Sequence, residues 1–199
     1  MKRILLFLCV VLLISTTVYS KETLTVTSTD QIKIDLPTYI SYFESKNRFW
    51  SGHTYSFSEI ERGKWTDQLE NPRSYYRGFW IRFEIYNDTK HEYFGISHEN
   101  LEESIVYVAH RDTVEKHHYI HKKFSILDSL TGIDLYDNIR IRIPQQSSVV
   151  VYSWIESNPF NRWFGVTRPY EQVYVTGWDE LEKSILLTIA SKLIFVVFS

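Results

Sequence analysis

The sequence predicts an all-β fold, a sandwich or barrel of short strands, and three observations support this prediction. Apolar and polar residues alternate over 79–86 and 139–143, the period of a strand with one face in a core. Turn residues such as those at 87–88 and 145–146 recur at intervals of about a dozen residues. Aromatic residues make up 16% of the chain, which is typical of twisted sheets.

The alternation predicts the elements in chain order. Short strands are expected at 24–27, at 32–36, where Pro37 ends the strand, and at 39–43. A single helical turn is expected at 57–60. The remaining predicted strands cover 79–86, 93–97, 104–109, 114–124, 138–144, 149–156 and 172–176.

The first 20 residues have the features of a secretory signal peptide. Lys2 and Arg3 precede an apolar run from 4 to 14, which is shorter than the roughly 20 residues of a membrane-spanning helix. Small and polar residues follow up to Ser20, where we expect cleavage. The single cysteine, Cys9, lies inside this segment, so the mature chain is expected to contain no disulfide. The protein is therefore predicted to be extracytoplasmic, in the periplasm.

The net charge of the mature chain bears on the partners that it can attract. Without Lys2 and Arg3, 20 basic residues face 24 acidic ones, so the charge favours neither nucleic acid nor anionic lipid. Residues 21–177 are enough for one core and are predicted to form one domain.

The C-terminal segment 178–199 is expected to be the start of a first transmembrane helix that is cut short. Between residues 185 and 198 only Lys192 is charged, and a polar, helix-like stretch precedes this run. The run is shorter than a full membrane span. The alternative is a terminal helix that closes the sandwich.

No motif in the sequence indicates an enzyme, a metal or another cofactor. His110, His117, His118 and His121 are close in sequence, but neighbouring residues of a strand point to opposite faces, and a zinc site needs three or four converging ligands. Acidic pairs occur, but their spacing does not show two carboxylates across a cleft. Nucleophile elbows, phosphate-binding loops and zinc-protease helices are absent from the sequence.

The candidate binding site is the outward face of the strand in GFWIRFEIYNDT, residues 78–89. Indoles stack on sugar rings, and charged side chains bind hydroxyl groups, so Trp80, Arg82 and Glu84 are predicted to contact a carbohydrate or another small ligand, together with Trp154. The alternative is that the tryptophans pack under loops or between sheets, covered by arginine stems.

The stretch YYRGFWIRFEIYNDT, residues 75–89, resembles the type 2 extracellular domain of bacterial seven-transmembrane receptors with diverse intracellular signalling modules. Segments 39–44 and 57–65 are similar to the entry segments of that family, and 104–107 and 150–157 are similar to two of its later strands. The resemblance implies a jelly-roll-like antiparallel β-sandwich outside the cytoplasmic membrane. It also implies a carbohydrate or other small-molecule ligand, and membrane helices that lead to a cytoplasmic output module.

The sequence therefore predicts a ligand-binding sensor domain, tethered to the cytoplasmic membrane through its C-terminal segment. The first alternative is a periplasmic structural or adaptor module that binds a protein partner, for which an exposed apolar patch would be evidence. The second is a secreted glycoside-active enzyme, which requires two inward carboxylates about 5 to 10 Å apart.

Overall fold

The computed structural model describes residues 21–44, 55–68, 78–98, 103–120, 138–155 and 173–198, and within them the fold is mostly β-sheet. The strands are β1 (Leu24–Val26), β2 (Ile32–Lys33), β3 (Ser41–Glu44), β4 (Phe79–Asn87), β5 (Tyr93–His98), β6 (Glu103–His110), β7 (Thr113–Ile120), β8 (Asn138–Arg142), β9 (Ser147–Ile155) and β10 (Val173–Gly177). The helices are α1 (Leu36–Tyr39), α2 (Phe57–Glu61) and α3 (Trp178–Phe198).

Strand β4 is an interior strand of the six-stranded sheet, here called sheet A. One edge of β4 pairs with β9, and the sheet continues from β9 to β6 and β7. Its other edge is shared, because β3 pairs with residues 79–82 and β1 with residues 85–87. The strand that carries the candidate site is therefore enclosed on both edges.

Strands β2, β10, β5 and β8 form the four-stranded sheet B in that order. Alternate residues of the two sheets meet in a core between them, including Phe79, Phe83, Val151, Phe94 and Ile141. All five are at most 2% exposed. The predicted apolar faces of 79–85 and 139–143 are thus confirmed, and the predicted all-β class is confirmed as two packed sheets.

Two local predictions are wrong. The strand expected at 32–36 ends at Lys33, and Leu36–Tyr39 form a helical turn in which the amides of Thr38 and Tyr39 donate to the carbonyl of Asp35. Pro37 lies inside this turn, where a missing N–H is no loss, since the first amides of a helix have no partner within it. The sheet is also not wholly antiparallel, because β1 runs parallel to β4.

Helix α3 follows β10 directly, since Gly177 ends the strand and Trp178 begins the helix. Within the described ranges, no helix is both long and apolar enough to cross a membrane. The predicted signal segment 1–20 lies outside the described residues, as do 121–124, 156 and 172 of the predicted strands.

Candidate functional site

Trp80 and Trp154 lie on the outer face of sheet A, the face turned away from sheet B. They are directly opposite each other on β4 and β9, with ring centroids 5.5 Å apart. Both are buried, at 0% and 2% exposed. Gly78 comes just before β4 with φ of 85°, and a Cβ there would lie 2.3 Å from Cζ2 of Trp154. A glycine is therefore required where the chain passes over this indole.

The two indoles belong to a second apolar cluster, here called the outer cluster. Its buried members are Ile60, Trp80, Ile105, Tyr107, Tyr152 and Trp154, and Phe43, Tyr55, Phe57 and Trp65 pack against them. The outer cluster covers one end of sheet A, so part of the outer face is a second core.

Residues 55–66 form the cover over the outer cluster. The side chain of Ile60 in α2 is fully buried, and the ring of Phe57 lies 5.4 Å from that of Tyr152. The indole N–H of Trp65 donates to the carbonyl of Ile60 at 3.1 Å. Backbone hydrogen bonds between Thr66 and Tyr42, of 2.7 and 2.8 Å, attach this segment beside β3.

Trp80 and Trp154 consequently present no ring face to a ligand in this structure, which corrects the expectation that they form an open stacking platform. In the described part of the chain, Nε1 of Trp80 has no hydrogen-bond partner, so packing alone holds this ring. Their packing role matches the alternative interpretation of the sequence.

Arg82 and Glu84 lie farther along the same face and are half-buried. Cζ of Arg82 lies 5.8 Å from the ring centroid of Tyr152 on β9, a cation–π contact at the border of the outer cluster. The side chain of Glu84 has no hydrogen bond or ion pair with another residue of the described chain. Of the four predicted site residues, the structure thus leaves two charged ones accessible, side by side on β4.

Tyr152 is the member of the outer cluster that pairs with Arg82 across β4 and β9. Burial raises the pKa of its phenol above the ordinary value, the positive charge of Arg82 opposes this shift, and the negative charge of Glu61 adds to it. The phenol therefore remains a neutral donor at neutral pH.

Asn87, the last residue of β4, has a structural role. Asn87 is fully buried, and its Nδ2 donates to the carbonyls of His91 at 2.6 Å and Ile143 at 2.8 Å. Its Oδ1 accepts from the amide and hydroxyl of Thr89, at 2.9 and 2.8 Å. Asn87 thereby joins sheet A, the turn 88–92 and the end of β8. The sequence indicates only a turn here, because the distant partners leave no local pattern.

A second group of side chains, which the sequence analysis did not single out as a site, lies on the outer face of sheet B. Cζ of Arg140 on β8 is 4.2 Å from the ring centroid of Tyr93 on β5 and 5.1 Å from that of Trp178 in α3. The sequence signal was the alternation over 139–143, which predicts that Arg140 and Arg142 face outward.

Metal ligands do not converge in the described part of the chain, where no group of three or more His, Cys, Asp or Glu side chains is positioned to hold an ion. His117 and Glu115 approach to 3.6 Å on β7, and His121 lies outside the described residues.

Comparison of the chain with models of known protein families, and with curated proteins, finds no match.

Proposed function

We propose that this protein is the extracytoplasmic ligand-binding sensor domain of a bacterial seven-transmembrane receptor, a jelly-roll-like sandwich tethered to the cytoplasmic membrane through α3. The observation that carries the proposal is the direct passage from a two-sheet domain into a helix in which Leu186 and Leu187 are exposed. A secreted chain that begins with a signal peptide, cleaved after Ser20, fits the same arrangement.

The exposed leucines of α3 favour an apolar environment for this helix. Leu186 and Leu187 are 66% and 71% exposed, while the strand residues of the core are almost fully buried. Adjacent residues of a helix lie about 100° apart, so these two leucines give α3 an exposed apolar surface, next to a face on which Ile185, Thr188 and Ile189 are half-buried. Lipid is an environment that accepts exposed leucines on a helix.

The ligand is proposed to bind on the accessible half of the outer face, at Arg82 and Glu84. Arg82 can donate charge-assisted hydrogen bonds and Glu84 can accept them. The hydroxyl groups of a polyhydroxylated small molecule can both accept and donate. The indoles of Trp80 and Trp154 are buried in the outer cluster beside this half of the face and are not proposed as ligand contacts.

Membrane fractionation of the full chain tests the tether. The double variant Leu186→Asp/Leu187→Asp places two carboxylates at exposed helix positions, and each Asp costs about 3 kcal/mol at the centre of an inserted helix. The matched control is Val114→Asp, which changes an exposed apolar residue of β7, 44% exposed, outside α3.

We expect the wild-type chain and Val114→Asp to sediment with membranes and to be released by detergent but not by salt. The double variant should move to the soluble fraction with an unchanged circular dichroism spectrum. A wild-type chain found in the soluble fraction would contradict the tether. The exposed leucines would then favour the adaptor module, with a protein partner on α3.

A further inference from the structure

The first two turns of α3 lie against the outer face of sheet B. Because Gly177 and Trp178 are consecutive, no linker separates the last strand from the helix. Helix α3 contacts both β5 and β10. The direction of the helix relative to the sandwich is thus set by side-chain contacts at this junction.

The first contact is the stack of Arg140 between two aromatic rings. Its guanidinium lies 4.2 Å from the ring centroid of Tyr93 and 5.1 Å from that of Trp178, so one cation joins the sheet to the helix. The indole N–H of Trp178 donates to Oε1 of Glu182 at 2.6 Å, which holds the ring in place. An exposed cation–π contact corresponds to about a two- to fivefold change in an equilibrium constant.

The second contact is the packing of Leu181 into the space over Gly95 on β5, and this space is here called the seat. A Cβ at Gly95 would lie 2.4 Å from Cδ1 of Leu181, so the missing side chain of the glycine makes room for the leucine. Gly95 pairs with Arg140 across the two strands, and therefore the seat adjoins the stack.

The third contact connects the helix to the turn that Asn87 holds. Nδ1 of His91 and Oδ2 of Asp179 are 3.0 Å apart. Both side chains are about half exposed, so solvent weakens this pair, and the stack and the seat carry most of the attachment.

We propose that these contacts form a latch, with Arg140 as its central residue, and that α3 has a second state in which the latch is open and the helix swings about Gly177. A sandwich that binds a ligand can redirect a helix only through a contact that differs between two states. The latch is that contact for this chain. The second helix position rests on the proposed function, whereas the contacts that form the latch are present in the structure itself.

The experiment measures a distance across the latch in the full chain in detergent. Spin labels are attached to cysteines introduced at Lys33 on β2 and Ser184 on α3, both exposed, with Cys9 replaced by serine. The test variants are Arg140→Ala, which removes the stack, and Leu181→Ala, which empties the seat from the helix side. Circular dichroism verifies that each labelled variant is folded.

Each test variant has a matched control. Arg142→Ala changes an arginine on the same strand and face whose partner is Glu92, at 2.8 Å, and not the helix. Leu187→Ala removes a leucine of the same helix that is 71% exposed.

We expect one narrow distance in the parent chain and in both controls. Arg140→Ala should add a second, broader population, with its share relative to the docked state raised about two- to fivefold, because only the cation–π contact to Trp178 joins the sheet to the helix. Leu181→Ala should add the same population.

Folded test variants that both keep the single narrow distance would overturn the latch, and so would a control that broadens as much as its test variant. These results do not depend on the fractionation experiment. A failed latch therefore leaves the membrane tether standing, and a failed tether leaves the latch.

Discussion

Arg82 combines a contact that supports the fold with an accessible charge. Its guanidinium lies over the ring of Tyr152, which is 4% exposed, and the side chain itself is half-buried. The stabilisation from one cation–π contact at such a site is about 0.5 to 1 kcal/mol. The residue is therefore available for binding at a small cost to folding.

Replacing Arg82 with alanine should lower the free energy of unfolding by no more than about 1 kcal/mol, because a single cation–π contact is lost. The same change should weaken a sugar found to bind in a glycan screen by tenfold or more, since charge-assisted bonds are worth about 1.5 to 3 kcal/mol. Thermal unfolding and titration calorimetry measure the two effects.

Arg142→Ala is the control for charge, since Arg142 is exposed on the other sheet and pairs with Glu92. It should leave sugar affinity unchanged. If Arg82→Ala unfolds the domain, the residue is structural and the proposed site is wrong. The proposed site is also wrong if Arg82→Ala, like Arg142→Ala, leaves the sugar affinity unchanged.

Asn87 carries the largest expected effect of a single polar side chain. Asn87→Ala removes two donors and one acceptor from a fully buried position and leaves the carbonyls of His91 and Ile143 without that partner. Each buried polar group left unpaired costs about 1 to 3 kcal/mol, so we expect a loss of about 3 kcal/mol or more in urea unfolding.

The neighbouring variant Asp88→Ala is the control for Asn87→Ala. Asp88 is exposed and accepts a hydrogen bond from Nε2 of Gln146 at 2.6 Å. Asp88→Ala should therefore lower the free energy of unfolding by less than about 1 kcal/mol. Equal losses in the two variants would show that the buried hydrogen bonds of Asn87 do not stabilise the fold.

At the level of elements, α2 is short, and a carboxylate at its first turn fixes where it begins. Oε2 of Glu59 accepts from the backbone amide of Ser56 at 2.8 Å and from its hydroxyl at 2.7 Å. These two bonds, the hydroxyl first, lower the pKa of Glu59 below its ordinary value of 4.5.

This lowered pKa predicts how the cover over the outer cluster responds to acid. Because the pKa of Glu59 is lower in the folded state than in the unfolded state, its stabilisation is present above about pH 4.5 and is lost as the pH falls through the folded pKa. As the pH falls below about 4.5, amide exchange of residues 57–63 should therefore become faster than the intrinsic pH dependence of exchange predicts.

The control for this prediction is Glu59→Gln, which cannot titrate and should show exchange with only the intrinsic pH dependence. If wild type and Glu59→Gln respond to acid in the same way, Glu59 does not control the cover.

Over the whole molecule, the sequence predicts strands better than it predicts what covers them. The alternation in β4 assigns Phe79 and Phe83 to one face, and the structure confirms it. It also assigns Trp80 to the other face, but contains no sign that Ile60 and Trp65 cover that face. Their position depends on the attachment of residues 55–66 beside β3, a contact between distant parts of the chain.

The same reasoning applies to the charged residues. The alternation places Arg140 outward, yet the rings on either side of it come from β5 and α3, one earlier and one later in the chain. Arg82 and Glu84 remain accessible for the reason that the sequence supplied, namely the period of the strand. Local pattern thus identified the direction of each side chain but not its neighbours.

The pairing of β4 with strands far from it in the chain affects the order in which the domain assembles. Phe79 pairs with Ile155, and Lys33 pairs with Tyr174, so both sheets need strands that are far apart in the chain. Of the described strands, β6 and β7 are joined by a two-residue turn, and closing so short a loop costs the least entropy. During synthesis this hairpin can form early, whereas β1 and β3 must wait for β4, and β4 for β9. A nascent chain halted before residue 147 would consequently leave open the edge of β4 that pairs with β9.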